Sequence, residues 1–234
     1  MIEDLEFETY LSISKNKFGI YLFDVRNFKN IYKHELNLEN KIDGIDYNSL
    51  KTFLDNNIYK IEKLIGKFVK NLFLIIDNEK NLRLNISIKK KNYSVASNKD
   101  LIINSLTEIK DLFKENYRKE KIMHMIVNKY LINNKIYSSY EENLHFDQFA
   151  LEIEIISISI EKINHLNKIL ENYQINIIKY LDGAYLNNFF KNVDLDISEM
   201  AHKINSGYNL NEVTVVPKNS KKPAFFEKFF QLFS

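Results

Sequence analysis

The chain has 234 residues, 45% hydrophobic and 27% charged, with 33 Lys and Arg against 31 Asp and Glu for a formal net charge of +2. That is apolar mass for one substantial core or two small ones, and the charge balance leaves no global field to draw in nucleic acid or an acidic substrate. Cysteine is absent, which excludes disulfides, thiolate metal sites and cysteine nucleophiles and fits a reducing compartment. The acidic start, Met1-Ile2-Glu3-Asp4, lacks the basic and then apolar pattern of a secretory signal, and no window reaches the roughly 18 to 20 apolar residues of a spanning helix. The expectation is a protein kept in the cytoplasm whose membrane contact is peripheral.

In chain order, Phe7–Ser14, Phe18–Val25 and Asn30–Leu38 are rich in Phe, Tyr, Ile and Leu and broken by polar turns, which predicts a three-strand meander. Tyr47–Val69 places Leu50, Phe53, Leu54, Ile58, Ile61, Leu64, Ile65 and Phe68 at three- and four-residue steps, an amphipathic helix. Asn71–Asp77 has strand length, and Leu82–Lys90 alternates Leu and Ile with Arg, Asn, Ser and Lys as a half-buried strand does. A capped helix is expected over Leu101–Phe113. Strands follow at Ile122–Ile132 and Phe149–Ile160, flanking a polar stretch around Ile136–Asn143. Next come a helix over Glu161–Tyr173, a strand at Ile175–Leu181, a helix over Asp194–Asn205 ending at Gly207, and a short β-branched strand, Glu212–Val216. Pro217–Pro223 carries two prolines and no other apolar residue, so it reads as a linker.

The last eleven residues form the sharpest pattern. On a helical wheel Phe225, Phe226, Phe229, Phe230, Leu232 and Phe233 fall within an arc of roughly 160°, opposite Glu227, Lys228 and Gln231. Lys218, Lys221 and Lys222 lie just upstream, where each is worth roughly 1 kcal/mol beside anionic head groups. Burying six such side chains yields about 10 kcal/mol gross, from which ordering some ten residues at ~1 kcal/mol each subtracts nearly all. A membrane anchor that works through several tethered copies is expected. The competing expectation is that this helix packs on its own body or on a second copy.

Signals for catalysis are missing. Five glycines serve the whole chain (Gly19, Gly44, Gly66, Gly183, Gly207) and none cluster as a phosphate loop or dinucleotide fingerprint requires. His34, His124, His145, His165 and His202 are scattered without metal-ligand spacing and read as surface or core-edge residues. Glu152 and Glu154 alternate with Ile153 and Ile155, placing both acids on a solvated strand face. Lys89-Lys90-Lys91 reads as a strand end or hairpin tip. No enzyme, cofactor or metal is expected.

One resemblance organises these elements. Ile122-Met-His124-Met-Ile126-Val-Asn-Lys-Tyr130-Leu-Ile132, then Leu151-Glu152-Ile153-Glu154-Ile155, then a helix ending Leu170-Glu171-Asn-Tyr173-Gln174-Ile175, resembles the inserted subdomain of the bacterial actin-like division protein FtsA. Val127 stands where that family has proline and Gln174 where it has glycine. Leu11–Lys17 is similar to its phosphate turn, with Ser12 and Ser14 replacing the acid and the glycine; Ser12, Ser14 and Lys17 are thus a degenerate cofactor-binding turn. The family also ends in a linker and an amphipathic membrane helix.

The resemblance implies an α+β fold: a partial actin-like (ribonuclease H-like) lobe with an inserted strand-helix-strand-strand subdomain and a C-terminal amphipathic helix. It implies residues 1–94 as the first part of the lobe, 95–181 as the insert, 182–216 as the return, 217–223 as linker and 224–234 as membrane helix. Membrane contact would fall to Lys221, Lys222, Phe225, Phe226, Phe229, Phe230, Leu232 and Phe233. The implied role is a peripheral adaptor at the cytoplasmic face of the cell membrane, at midcell, without ATP binding. Its partners would be an anionic membrane surface and other division proteins, with self-association through the insert and no nucleic acid. FtsZ is the least supported partner, because the second lobe that carries its main docking site in the family is missing. An alternative in the same structural class is a cytoplasmic adaptor of the type IV pilus assembly kind, and one of a different class is a residual actin-like ATPase.

Overall fold

A computed structural model describes residues 6–38, 44–78, 80–91, 98–140 and 146–213. They divide into two compact units. The first runs up to Lys80 and resumes over Glu161–Tyr208; the second comprises Asn81–Ile160 and, of the described residues after Tyr208, Asn209–Val213.

The first unit opens with the expected meander, β1 (Phe7–Ser14), β2 (Lys17–Asp24) and β3 (Lys29–Asn37), paired antiparallel. Every residue of β2 after Lys17 is buried, because α1 (Tyr47–Ile65) and α5 (Ile197–Asn205) both pack against it. The Asp46 carboxylate caps α1 by accepting the N–H groups of Asn48 (3.1 Å) and Ser49 (3.0 Å). Leu50, Phe53, Leu54, Ile58 and Ile61 form its buried stripe. The helix stops before the Val69 that its periodicity suggested, since Gly66 takes the left-handed conformation (φ 68°) and closes the last turn. Phe68 is left 79% exposed.

From there β4 (Asn71–Asp77) runs parallel to β1, and β9 (Asn176–Asp182), which follows α3 (Ile160–Glu171), runs parallel to β4. The order β3-β2-β1-β4-β9, with a unit inserted between β4 and α3, is that of a partial actin-like, ribonuclease H-like lobe. Gln174, at the position the resemblance assigned to glycine, has φ 57°, a conformation that L-residues adopt at a cost of roughly 1–2 kcal/mol. A helix that the periodicity did not announce, α4 (Gly183–Phe189), follows β9 directly; Asp182 caps it, accepting the Tyr185 N–H at 2.7 Å. The helix α5 begins at Ile197, with Asp196 as its cap, later than the expected Asp194.

The second unit is an antiparallel sheet, β5-β8-β6-β7, made from β5 (Leu82–Lys91), β6 (Glu120–Ile132), β7 (Lys135–Tyr137) and β8 (Gln148–Ser159). One sheet face and α2 (Asn98–Asn116) enclose a core that includes Ile102, Ile109, Phe113, Met125, Val127, Phe149, Leu151, Ile153 and Ile155. A two-residue turn joins β6 to β7, with Asn133 and Asn134 both at positive φ (47° and 66°), as the right-handed twist of a tight hairpin demands. Glu152 and Glu154 lie on the outer face, paired with Lys129 (2.8 Å) and Arg83 (3.2 Å).

The boundaries drawn from sequence move accordingly. The insert starts with β5, because β5 pairs with β8 along its whole length; it therefore begins near Asn81 and not at residue 95. It ends at Ile160 and not at residue 181, since α3 and β9 belong to the first unit. In place of a strand over Glu212–Val216, the described part of that segment makes a single antiparallel bridge between Glu212 and Ile126. The linker 217–223 and the terminal helix 224–234, hence Lys221, Lys222, Phe225, Phe226, Phe229, Phe230, Leu232 and Phe233, lie outside the described residues, as do Met1–Leu5 and His145.

Candidate functional site

Open sheets with parallel strands bind ligands beyond the carboxyl ends of those strands. In the first unit those ends are Ser14 on β1 and Asp77 on β4, which sit directly opposite each other in the parallel pair. A cleft of about 240 Å³ lies there, lined by Ile13, Ser14, Lys15, Asn16, Gly44, Ile45, Ile76, Asp77, Asn78 and Lys80. Gly183, at the start of α4, abuts the same strand end: a Cβ there would stand 2.7 Å from the Asp77 Cβ and 3.2 Å from its Cα. Glycine at 183 is thus what allows α4 to start against β4.

The three residues of the degenerate phosphate turn do not converge on this cleft. Ser12 is half-buried within β1, flanked by Gly19 on one side and Ile75 on the other. Ser14 lines the cleft, but its hydroxyl donates to the Lys17 carbonyl at 3.0 Å, closing the hairpin turn on itself. Lys17 reaches back over the sheet to Glu35 (3.2 Å), which also accepts the Tyr21 hydroxyl at 2.6 Å. Tyr21 gets there by lying across Gly19, where an added Cβ would stand 2.5 Å from its hydroxyl oxygen. The nearest glycine to the turn therefore makes room for a tyrosine. Burial and then the Glu35 contact push the Tyr21 hydroxyl up in pKa. Burial raises the Glu35 carboxyl, but the hydrogen bonds from Tyr21 and Lys17 outweigh it and hold the group below its usual range. With side chains 42% and 32% exposed, the Lys17–Glu35 pair is worth about 0–1 kcal/mol; it orients Lys17 more than it locks it.

The cleft thus offers two amines, a carboxylate and two amides over an apolar floor of Ile13, Ile45 and Ile76. It can hold a small polar group, but its turn has no glycine whose backbone N–H could close on a polyphosphate. Lys15, Asp77, Asn78 and Lys80 were not singled out in the sequence. Their signal was position: each follows or ends a predicted strand.

Two histidines read as surface or core-edge residues are instead structural anchors. His202 Nδ1 lies 2.7 Å from Glu8, which also accepts the Tyr10 hydroxyl, so α5 is tied to β1. Ser206 Oγ is 3.4 Å from His202 Nε2, which completes a serine-histidine-carboxylate order. Chemistry stops there, since the Ser206 and Gly207 N–H groups already donate to the His202 and Ile204 carbonyls, and the negative end of a helix opposes a developing oxyanion. His124, 1% exposed, is one of the most enclosed residues of the second unit and pairs with Glu212 at 2.8 Å. Around that pair Val127 N–H donates to Asn211 O (2.9 Å) and Val213 N–H to Met125 O (2.7 Å), strapping residues 209–213 to β6. The first of these bonds needs the N–H that a proline at 127 would lack. Among the described residues no three acids or histidines are grouped to hold a metal, and no helix is long and apolar enough to cross a membrane.

The fold and the cleft define a class, a partial actin-like lobe bearing an inserted antiparallel unit. No family model matches the chain, and no curated protein matches it by sequence. Among solved structures it is similar to a PilM–PilN type IV pilus biogenesis complex, with a TM-score of 0.53 at 7% identity over 78% of this chain and 49% of the other. Two further matches have lower TM-scores. The cytoplasmic domain of EpsL, an inner-membrane component of the type II secretion system of Vibrio cholerae, gives 0.39 at 6% identity over 77% of this chain and 58% of that one. A Bacteroides thetaiotaomicron protein with an actin-like ATPase fold gives 0.35 at 13% identity, covering 83% and 61%. The chain spans about half the length of the pilus protein it matches.

Proposed function

We propose that this chain is a non-catalytic adaptor: an actin-like lobe whose phosphate turn serves internal contacts, carrying an inserted unit that docks protein partners in a membrane-associated assembly of the type IV pilus kind. The observation that carries this reading is the turn itself. Its hydroxyl closes on Lys17, Lys17 turns to Glu35, and Gly19 lies under Tyr21, so the parts that would hold a polyphosphate are engaged elsewhere. The likeness in fold to the PilM–PilN complex supports the assembly class. Equilibrium titration with a fluorescent ATP analogue tests it. Affinity no better than millimolar is expected, and tighter binding would return the chain to the actin-like ATPases.

A second reading, an FtsA-like adaptor of cell division held at the cytoplasmic face of the membrane, is favoured by the phenylalanine face of residues 225–233 and the lysines before it. Flotation with anionic vesicles separates the two. If the intact chain floats and the chain cut after Lys222 does not, the tail is an anchor and the division reading gains. If neither floats, even when clustered, docking on a membrane-borne partner is the better account.

A further inference from the structure

Edges of sheets expose unpaired backbone groups, and folded proteins blunt them with short strands, bulges, proline or charge. Three of the four sheet edges here carry such a device or an irregularity. The outermost pairing at β3 is interrupted between Leu22 and Phe23, the pairing at β9 shifts between Leu72 and Phe73, and β7 has three residues. The fourth, β5, is different. It runs ten residues without glycine or proline and pairs with β8 in unbroken register from Leu82↔Ser157 to Lys91↔Gln148. No strand pairs with its other side among the described residues.

The two faces of β5 also differ. Leu82, Leu84, Ile86 and Ile88 point to the core yet stay only partly buried, so the apolar interior is incompletely covered along this edge. Lys90, in the same row, pairs with Glu108 of α2, which turns that face of the helix toward β5. Leu101 and Leu112 lie on the same face as Glu108 at helical spacing, and Leu112 is 49% exposed. The opposite row is Arg83, Asn85, Ser87, Lys89 and Lys91, exposed and without an acid of its own; Arg83 pairs with Glu154 of β8, and the excess positive charge sits at Lys89 and Lys91.

We propose that β5 accepts an extended segment of a partner protein as an added strand, with apolar residues on the α2 side alternating with acidic residues on the outer side. Backbone hydrogen bonds would supply affinity and the two rows the specificity. Charge disfavours a second copy in the central registers: antiparallel self-pairing about Ile86 or Ser87 sets Arg83 of each chain opposite Lys89 or Lys91 of the other, and like charges placed so are destabilising. This deepens the adaptor reading and rests on it for the identity of a partner, while the strand-addition geometry can be tested by itself.

The test uses the full chain and fluorescein-labelled eight-residue peptides, alternating Val-Glu, alternating Val-Lys, and a Val/Glu peptide of the same composition in blocks. Fluorescence anisotropy gives affinity, and hydrogen–deuterium exchange locates binding. The expected result is saturable binding of the Val-Glu peptide with slowed exchange across Leu82–Lys91, at least tenfold weaker for the block peptide. In the double variant Lys89→Glu, Lys91→Glu, whose side chains are exposed, preference should move to the Val-Lys peptide at an unchanged melting temperature. No binding by any peptide, or binding indifferent to the charge reversal, overturns the strand-addition site. If an adaptor partner identified independently binds the double variant as well as the original chain, the site fails and the adaptor reading stands. If no partner is found but the peptides behave as expected, the reverse holds.

Discussion

Replacing His124 with alanine should lower the unfolding free energy by about 3–5 kcal/mol, the usual cost of leaving one member of a buried pair behind. The imidazole is fully enclosed and the Glu212 carboxylate facing it is only 11% exposed. Truncation would remove the ring that this carboxylate hydrogen-bonds and leave a hole between β6 and the strap. Glu212→Gln should cost less, because the amide keeps the shape and can still hydrogen-bond the ring. Urea denaturation gives the stabilities, and hydrogen exchange should show residues 209–213 losing protection in His124→Ala. A loss under ~1 kcal/mol with the strap still protected would mean the backbone bonds of Asn211 and Val213 hold the segment unaided.

An effect of similar size is expected in the other unit. Phe18 is fully buried in β2, its ring 5.9 Å from that of Phe53 on α1, and it joins the meander to the helix. Phe18→Ala should cost about 3–5 kcal/mol, the range for aromatic truncation in a close-packed core. Phe68→Ala is the matched control: the same chemistry at a ring 79% exposed should change stability by no more than ~0.5 kcal/mol. Equal losses from the two would contradict the end of α1 at Gly66.

These sites also show what the sequence could reveal. Phe18 was legible because the spacing of apolar residues in β1–β3 and α1 is local and regular. The overrun of α1 to Val69 came from the same regularity, which Phe68 continues even though the Gly66 backbone has already turned left. The helix α4 was missed because seven residues opening with glycine show too little periodicity; its one local signal was Asp182 as a cap. Sheet membership is a different matter. β5 was recognised as a half-buried strand yet placed in the wrong unit, because its partner β8 lies some 66 residues later, and a strand's own alternation does not say which strand it will join. The His124–Glu212 pair spans 88 residues, so neither residue announced it. At the cleft, Ser14 was found by likeness to a motif, whereas Asp77 and Asn78 became neighbours only through the parallel pairing of β1 with β4.

The interrupted first unit has a consequence for biosynthesis. β4 ends at Asp77 and its parallel neighbour begins at Asn176, so a ribosome adding about 5–20 residues per second takes on the order of 5–20 s to deliver the second strand. During that interval the nascent lobe presents one side of Leu72–Ile76 unpaired, a template for misassembly that chaperones would have to shield. The insert can build its own sheet meanwhile, but its fastening at Asn211 and Val213 is made only after α5, so each unit waits for residues that lie beyond a segment of the other.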